Sequence, residues 1–424
     1  MTDRTESLDS FRRRARAWLA DTMPRLEDSA EFQDRAELPN RGELPPEDDG
    51  VEWLRARQLQ KRLHSGGFAG ICFPVEYGGQ GLGVEYQRAF TEESAGYEMP
   101  LQLNVPSLSI CAAMLLDTGS EEQKVEHIGA AIRGDTVLCQ LLSEPSGGSD
   151  LAGLLTRAER DGDVWVLNGA KTWSSSAFAA DLGLCLARTN PSVPKHAGLT
   201  MFLVPTKAPG VTMNRIRMVN GSNEFCEEFF DDVILPASAV VGEVNGGWAA
   251  ASRQLFHERN AVGGGSPYVS GRGHPKSVAR ATPLDVARAA GRATDPLVRE
   301  MVGEWLAVDR VQRQLVARVS QGIASGHYPA PAASMLRLMS AESTQLAADL
   351  AVRIAGAGAG IGSADDPAIT RDLAQSFLMR QGSSLGGGST EISRNILSER
   401  LLGMPREHAA DKGVPFNEIR RSRG

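Results

Sequence analysis

Leu141-Leu142-Ser143-Glu144-Pro145-Ser146-Gly147-Gly148-Ser149-Asp150 and, further along, Asn168-Gly169-Ala170-Lys171-Thr172-Trp173-Ser174-Ser175 lie where the chain changes its periodicity. From Thr136 to about Glu243 the sequence consists of short apolar runs separated by turn residues. Asp161-Gly162, a hairpin dipeptide, leads into a strand candidate at Val164 to Leu167. Leu182 to Ala187, Leu199 to Val204 and Phe225 to Phe230 are further candidates, punctuated by Pro205, Pro209-Gly210 and Asn220-Gly221. The pattern predicts an antiparallel β-domain over residues 136–245, with both quoted segments inside it.

The flanks read as helical. In residues 1–135, Phe11, Ala15, Trp18 and Leu19 share one helix face. The acidic, proline-containing stretch from Glu27 to Gly50 is expected as an exposed excursion. Gly78-Gly79-Gln80-Gly81-Leu82-Gly83 follows no strand, so a tight connection between helices is preferred to a phosphate loop. From residue 246 the helical period returns. Val302, Trp305, Leu306, Val308, Leu315, Val316 and Val319 mark one long amphipathic helix, and Met335, Leu338, Met339, Leu346, Leu350 and Ile354 a second. Ile392, Ile396 and Leu401 mark another. The expected fold is α+β: an N-terminal helical domain, the middle β-domain and a C-terminal four-helix bundle over 246–424. Gly356-Ala357-Gly358-Ala359-Gly360-Ile361-Gly362 follows a helix rather than a strand, which removes it as a dinucleotide fingerprint.

Composition narrows the function. A chain of 424 residues with 42% hydrophobic content is too long for one simple core. A net charge of -7 leaves no basic footprint for nucleic acid. No run approaches the roughly twenty apolar residues of a membrane span. Arg12, Arg13, Arg14 and Arg16 are interspersed with Asp3, Glu6, Asp9 and Asp21, unlike a transit peptide, and a cytoplasmic protein is expected. Cys72, Cys111, Cys139, Cys185 and Cys226 stand far apart in mostly apolar sequence, as small buried hydrophobes without metal or disulfide spacing.

The two opening segments are joined by a third, Gly386-Gly387-Gly388-Ser389-Thr390-Glu391-Ile392-Ser393-Arg394-Asn395-Ile396, continued by Glu399-Arg400-Leu401-Leu402-Gly403-Met404-Pro405. Together they resemble the flavin-binding signature of the acyl-CoA dehydrogenase family, over about Trp18 to Arg406. The resemblance implies FAD. It places Leu142 and Ser143 in a loop against the pyrimidine side of the flavin ring, and Trp173, Ser174 and Ser175 in the segment packed near the ring. Ser149 matches a serine near the CoA channel, or is a loop hydroxyl bonding its own backbone. Arg353 stands where relatives carry glutamine. Gly356 opens a segment that in relatives approaches a neighbouring subunit's FAD; a plain helix-terminating loop is the other reading. Ser389 completes the cofactor group. The Arg-x-x-Phe-Gly segment of many members is missing, and Arg280, Arg288 or Arg292 could replace its contact.

Dehydrogenation of an acyl thioester needs an α-proton base, a stabiliser for the enolate-like charge and a hydride acceptor. In many members the base is a loop glutamate two residues before the position of Ser389. This chain has Gly387 there, whose backbone N–H still serves the thioester oxygen. Glu391 matches a structural acidic position. In another branch the base lies on a bundle helix in a Glu-Arg pair after Gly-Gly-Trp, and Gly246-Gly247-Trp248 is here followed by Glu258-Arg259, so Glu258 falls at that position. Pairing with a neighbouring arginine is the alternative reading of Glu258. The resemblance implies an acyl-CoA dehydrogenase that forms a trans-2,3-enoyl-CoA and passes electrons to an electron-transfer flavoprotein. A flavin monooxygenase or oxidase on the same fold, or a partner subunit of a mixed tetramer, are the competing readings. A tetramer is implied, of one chain or of two.

Overall fold

The computed structural model describes residues 6–26, 49–262, 266–269, 281–356 and 368–419. Most of the acidic stretch from Glu27, the segment carrying Arg280 and the glycines at 358, 360 and 362 lie outside the described residues.

Helix α1 (Leu8–Thr22) is capped by Ser7, whose side chain accepts the Ser10 N–H, and it buries Phe11, Ala15 and Leu19, spaced by four. These enter a core with Phe68 and Phe90, whose rings stack at 4.8 Å. Helices α2 (Asp49–Ser65) and α3 (Val84–Glu93) pack around it. α4 runs over 101–118 and contains a π-helical segment, Val105–Ala112; α5 runs over 121–133 with a second, Lys124–Ile128. The glycine stretch after Tyr77 is a tight turn: a side chain at Gly79 would meet the Phe73 carbonyl oxygen at 2.1 Å.

The sheet follows. Its strands are β1 (Leu138–Leu141), β2 (Arg157–Asp161), β3 (Val164–Ser175), β4 (Leu182–Arg188), β5 (Leu199–Pro205), β6 (Val211–Ile216), β7 (Phe225–Pro236) and β8 (Val240–Val241). They are ordered β6-β7-β3-β2-β4-β5-β8, with β1 on β4. Antiparallel ladders dominate, but β1 joins β4 in parallel, because the chain enters the sheet from α5 and not through a hairpin. The Asp161-Gly162 hairpin joins β2 to β3, with Gly162 at φ 57. β3 and β7 run well past the ends their apolar runs suggest, to Ser175 and Pro236.

The C-terminal part comprises α6 (Gly247–Val262), α7 (Pro283–Ala289), α8 (Pro296–Ala324), α9 (Ala333–Ala355), α10 (Ala368–Met379) and α11 (Thr390–Ile396), the last continued by a π-helical segment, Leu397–Leu401. Val286, Val298, Val302, Ala351, Ile354 and Leu373 form its buried core. Asp295 caps α8 ahead of Pro296, and a Thr282–Asp285 capping box starts α7.

Polar contacts fix the helical N-terminal part against the sheet. Arg57 donates to Asp181 at 2.7 Å, and the same carboxylate accepts the Val137 N–H at 2.8 Å. Gln123 donates to the carbonyls of Ser238 and Val240.

At the sheet's centre sits a buried ion pair. Lys171 has no exposed surface, and its Nζ donates to Glu144 Oε1 at 2.9 Å and to the Leu142 carbonyl at 3.0 Å. Glu144 also accepts the backbone N–H groups of Leu155 (2.6 Å) and Thr156 (2.9 Å). Burial pushes the Glu144 carboxyl up, but Lys171 and these N–H donors outweigh it and hold the group below its ordinary value. Lys171→Met, which strands the carboxylate, should cost about 3–5 kcal/mol in denaturant unfolding. Adding Glu144→Gln should recover part of that loss by removing the uncompensated charge. Because the folded-state value is depressed, the stabilisation is full above the unfolded carboxylate value and is lost as pH falls through the folded one. Unfolding midpoints that match the wild type in all variants would remove the pair from any structural role.

Candidate active site

The two segments quoted at the outset meet as one surface. The Glu144 and Gly147 backbones exchange hydrogen bonds of 3.3 and 2.9 Å, which closes a turn around Pro145-Ser146. The Thr172 N–H donates to the Ser143 carbonyl at 2.9 Å, so the loop is laced to β3. Leu142 is buried in the first core and Ser143 is half-buried, whereas Ser149 is exposed at the far end of the loop. A side chain at Gly148 would stand 3.2 Å from Ser143 Oγ, so glycine keeps the loop's outer face low.

Beside this loop β3 is bulged. The β3–β7 register shifts between Thr172 and Ser174, and Trp173 between them adopts φ 63. A bulky residue in the left-handed region costs about 1–2 kcal/mol, and such strain concentrates at functional sites. Its consequence is that the Trp173 side chain is turned outward, 54% exposed, with its ring edge-on to Phe225 at 5.8 Å. Ser175 is exposed as well. Ser174 faces the other way: it is buried, and its hydroxyl donates to Glu228 Oε2 at 2.9 Å. An outward indole held by a strained bulge, next to a loop with few side chains, fits a planar isoalloxazine ring.

Glu258 lies on α6, which packs against the π-helical segment of α4 and against β5. Gln140 of β1 donates to Glu258 Oε2 at 3.3 Å. Burial pushes the Glu258 carboxyl up; the Gln140 hydrogen bond and Arg259 pull it back without cancelling the rise. Arg259 itself is held below its ordinary value by burial and feels Arg400, which brings the segment after the glycine loop close to α6.

In that loop Gly387 and Gly388 have φ 72 and 95, a backbone that favours glycine. Arg337 of α9 donates to the Gly386 carbonyl at 2.5 Å. Ser389 is the N-cap of α11, its hydroxyl accepting the Ile392 N–H at 3.2 Å. Glu391 stands in the first turn of α11, with its own backbone N–H and the Ser389 hydroxyl holding its carboxyl low, which suits a terminus charge rather than a base. Arg353 lies exposed in the last turn of α9, and Gly356 follows at φ 90. Of the arginines named as substitutes for the missing segment, Arg292 donates to the Ile354 carbonyl at 2.8 Å, at the same end of α9. Arg288 is in the last turn of α7.

Sequence reasoning missed Gln140, Glu228 and Arg337. Gln140 had a signal, a polar side chain in an otherwise apolar strand run, whereas Glu228 is masked by Glu227, Asp231 and Asp232 in its strand. Arg337 had none, since an arginine on a helix is ordinary.

Comparison with known proteins identifies the family. Residues 5–135, 139–233 and 245–402 match the N-terminal, middle and C-terminal domain models of acyl-CoA dehydrogenase. The chain is 34% identical over 410 residues to acyl-CoA dehydrogenase IpdE1 of Mycobacterium tuberculosis, covering 95% of this chain and 99% of that one. It is 29% identical to mitochondrial isovaleryl-CoA dehydrogenase of Pongo abelii, over 82% of each chain. Among solved structures, the Tcur3481-Tcur3483 steroid ACAD superimposes with a TM-score of 0.72 at 30% identity, over 96% of this chain and 100% of that one. The ChsE4-ChsE5 complex of M. tuberculosis gives 0.68 at 26% identity, over 96% of this chain and 100% of that one. The strained indole, the laced loop and the three matched domains therefore place this chain in the acyl-CoA dehydrogenase family, as an FAD-dependent oxidoreductase that dehydrogenates acyl-CoA thioesters.

Proposed function

We propose that Glu258 is the base that removes the α-proton of the acyl thioester, and that the Gly387 N–H stabilises the charge that develops on the thioester oxygen. The observation that carries this reading is the half-buried Glu258 carboxyl, whose proton affinity is raised by burial while Gln140 and Arg259 keep the ionised form accessible. The loop offers no competing carboxylate, because Gly387 replaces the loop base and Glu391 is held low at a helix start. Leu142, Ser143, Trp173 and Ser175 line the flavin surface, Ser149 faces the CoA channel, and Arg353, Gly356 and Ser389 belong to the cofactor's outer contacts. When bound, FAD supplies the acceptor for the β-hydride. Glu258 and the Gly387 N–H account for the rest of an α,β-dehydrogenation to a trans-2,3-enoyl-CoA. A flavin monooxygenase has no need of a base so placed.

For substrate, we propose a bulky, ring-bearing acyl-CoA, on the likeness to the steroid ACAD. The electron acceptor we propose is an electron-transfer flavoprotein. Among the described residues no helix is long and apolar enough to cross a membrane, and all five cysteines are free, which supports a reducing, cytoplasmic setting. The assembly we propose is a tetramer, since α8 exposes Leu297, Leu306, Val311 and Val316. A tetramer of two different chains is the second reading, favoured by the ChsE4-ChsE5 likeness, a complex of two.

Glu258→Gln should leave the fold and FAD content intact and lower turnover at least roughly hundredfold, the scale of a lost general base. The acid limb of kcat/KM should lie above the ordinary glutamate value, with activity lost as pH falls through it. Gln140→Leu removes a donor to the ionised form, so that limb should move to higher pH. Near-normal turnover in Glu258→Gln would sink the assignment. Anaerobic bleaching of the flavin by linear, branched and steroid side-chain acyl-CoA thioesters tests the substrate reading, which fails if only linear chains bleach.

For assembly, light scattering with flavin fluorescence during dilution should show FAD released as the tetramer dissociates. A monomer retaining FAD stoichiometrically refutes a shared site. An apo assembly that takes up FAD only with a second chain present decides for the mixed tetramer.

A further inference from the structure

Glu228 is a buried carboxyl that the dehydrogenation scheme does not use. It lies on β7 opposite Lys171 of β3, with no exposed surface. One oxygen accepts the Ser174 hydroxyl, and the other, Oε1, has no partner although it is wholly buried. Ser174 immediately follows Trp173 in the bulge that presents the indole. The groups around Glu228 offer little to balance a negative charge. Among the described residues the cation that acts on it is Lys171, whose Nζ is already engaged by Glu144. Glu227 disfavours a further negative charge. Burial pushes Glu228 up to about 7, with Ser174, its own backbone N–H and Lys171 pulling the other way.

We propose that Glu228 is a positioning residue of the flavin-facing strand: held neutral inside the sheet, it anchors Ser174 and through it the Trp173 bulge, so that FAD binds with a proton retained on Glu228. A cofactor covering the outer face of the bulge removes water from that side and makes ionising the carboxyl beneath it harder still. By linkage, FAD affinity is then full while Glu228 is protonated and declines as pH rises through its value in the FAD-free protein. This rests on the FAD site described above and is independent of the base assigned to Glu258.

The test is the FAD dissociation constant of the purified full chain, read by flavin fluorescence between about pH 6 and about pH 8. The wild type should weaken roughly tenfold across that range, the effect of a one-unit difference between free and bound states. Glu228→Gln, neutral throughout, should bind at the wild-type acid-side affinity with no such slope. A flat wild-type profile, or Glu228→Gln with the wild-type slope, overturns the proposal. Ser174→Ala gives a second reading should Glu228→Gln not fold: it should weaken FAD at every pH, and unchanged affinity counts against the link. Glu258→Gln should lose flavin bleaching by acyl-CoA yet keep the wild-type slope of FAD affinity with pH, which separates failure here from failure of the catalytic reading.

Discussion

The site depends on two charges that should not be inside a protein. Lys171 and Glu144 are both buried, and each would cost several kcal/mol to desolvate alone. The cost is offset because their hydrogen-bonding capacity is widely used. Lys171 reaches a carboxylate and a carbonyl, and Glu144 accepts from Lys171 and from two backbone N–H groups. Those partners belong to three separate stretches: the loop at Leu142 to Glu144, the turn at Leu155 and Thr156, and β3. One pair therefore sets the spacing of the whole flavin-facing surface. The strained Trp173 lies two residues beyond Lys171, where a rigid neighbourhood is needed to sustain a left-handed backbone.

Much of this was readable in advance. Apolar runs placed β3, β4, β5 and β7, and the helical period placed α1, α8 and α9. β2 was not readable, because Arg157-Ala158-Glu159-Arg160-Asp161 buries only Ala158 and carries no apolar run. The parallel pairing of β1 with β4 is a matter of which strands meet, which a local pattern does not encode.

Facing inside β3 was obscured for a different reason. Strict alternation from the buried Lys171 would turn Thr172 and Ser174 out and Trp173 in. Lys171 and Thr172 are instead both buried, and alternation resumes one residue out of phase, with Trp173 out, Ser174 in and Ser175 out. A bulge is defined by its pairing partner, here β7, so its position is not given by the residue types of the strand that carries it. For that reason Ser174 groups with its flavin-facing neighbours in sequence but belongs to the interior in space.

Three buried or half-buried carboxyls then show how one side-chain type comes to three proton affinities in one molecule. Glu144 has a cation and two backbone donors, so its charged form wins despite burial. Glu228 has one hydroxyl, its own backbone N–H and a lysine already engaged, too little to offset burial, so its neutral form persists to about 7. Glu258 falls between in its donors: one long hydrogen bond from Gln140 and the charge of the neighbouring Arg259. An α-proton base must be ionised before the reaction and hold a proton after it, which a firmly anionic Glu144 does not do, and Glu228, inside the sheet with no exposed surface, cannot meet a substrate. The group with weak but present support for its charge, on the helix that the post-loop segment approaches, is the one suited to accept and release a proton in each turnover.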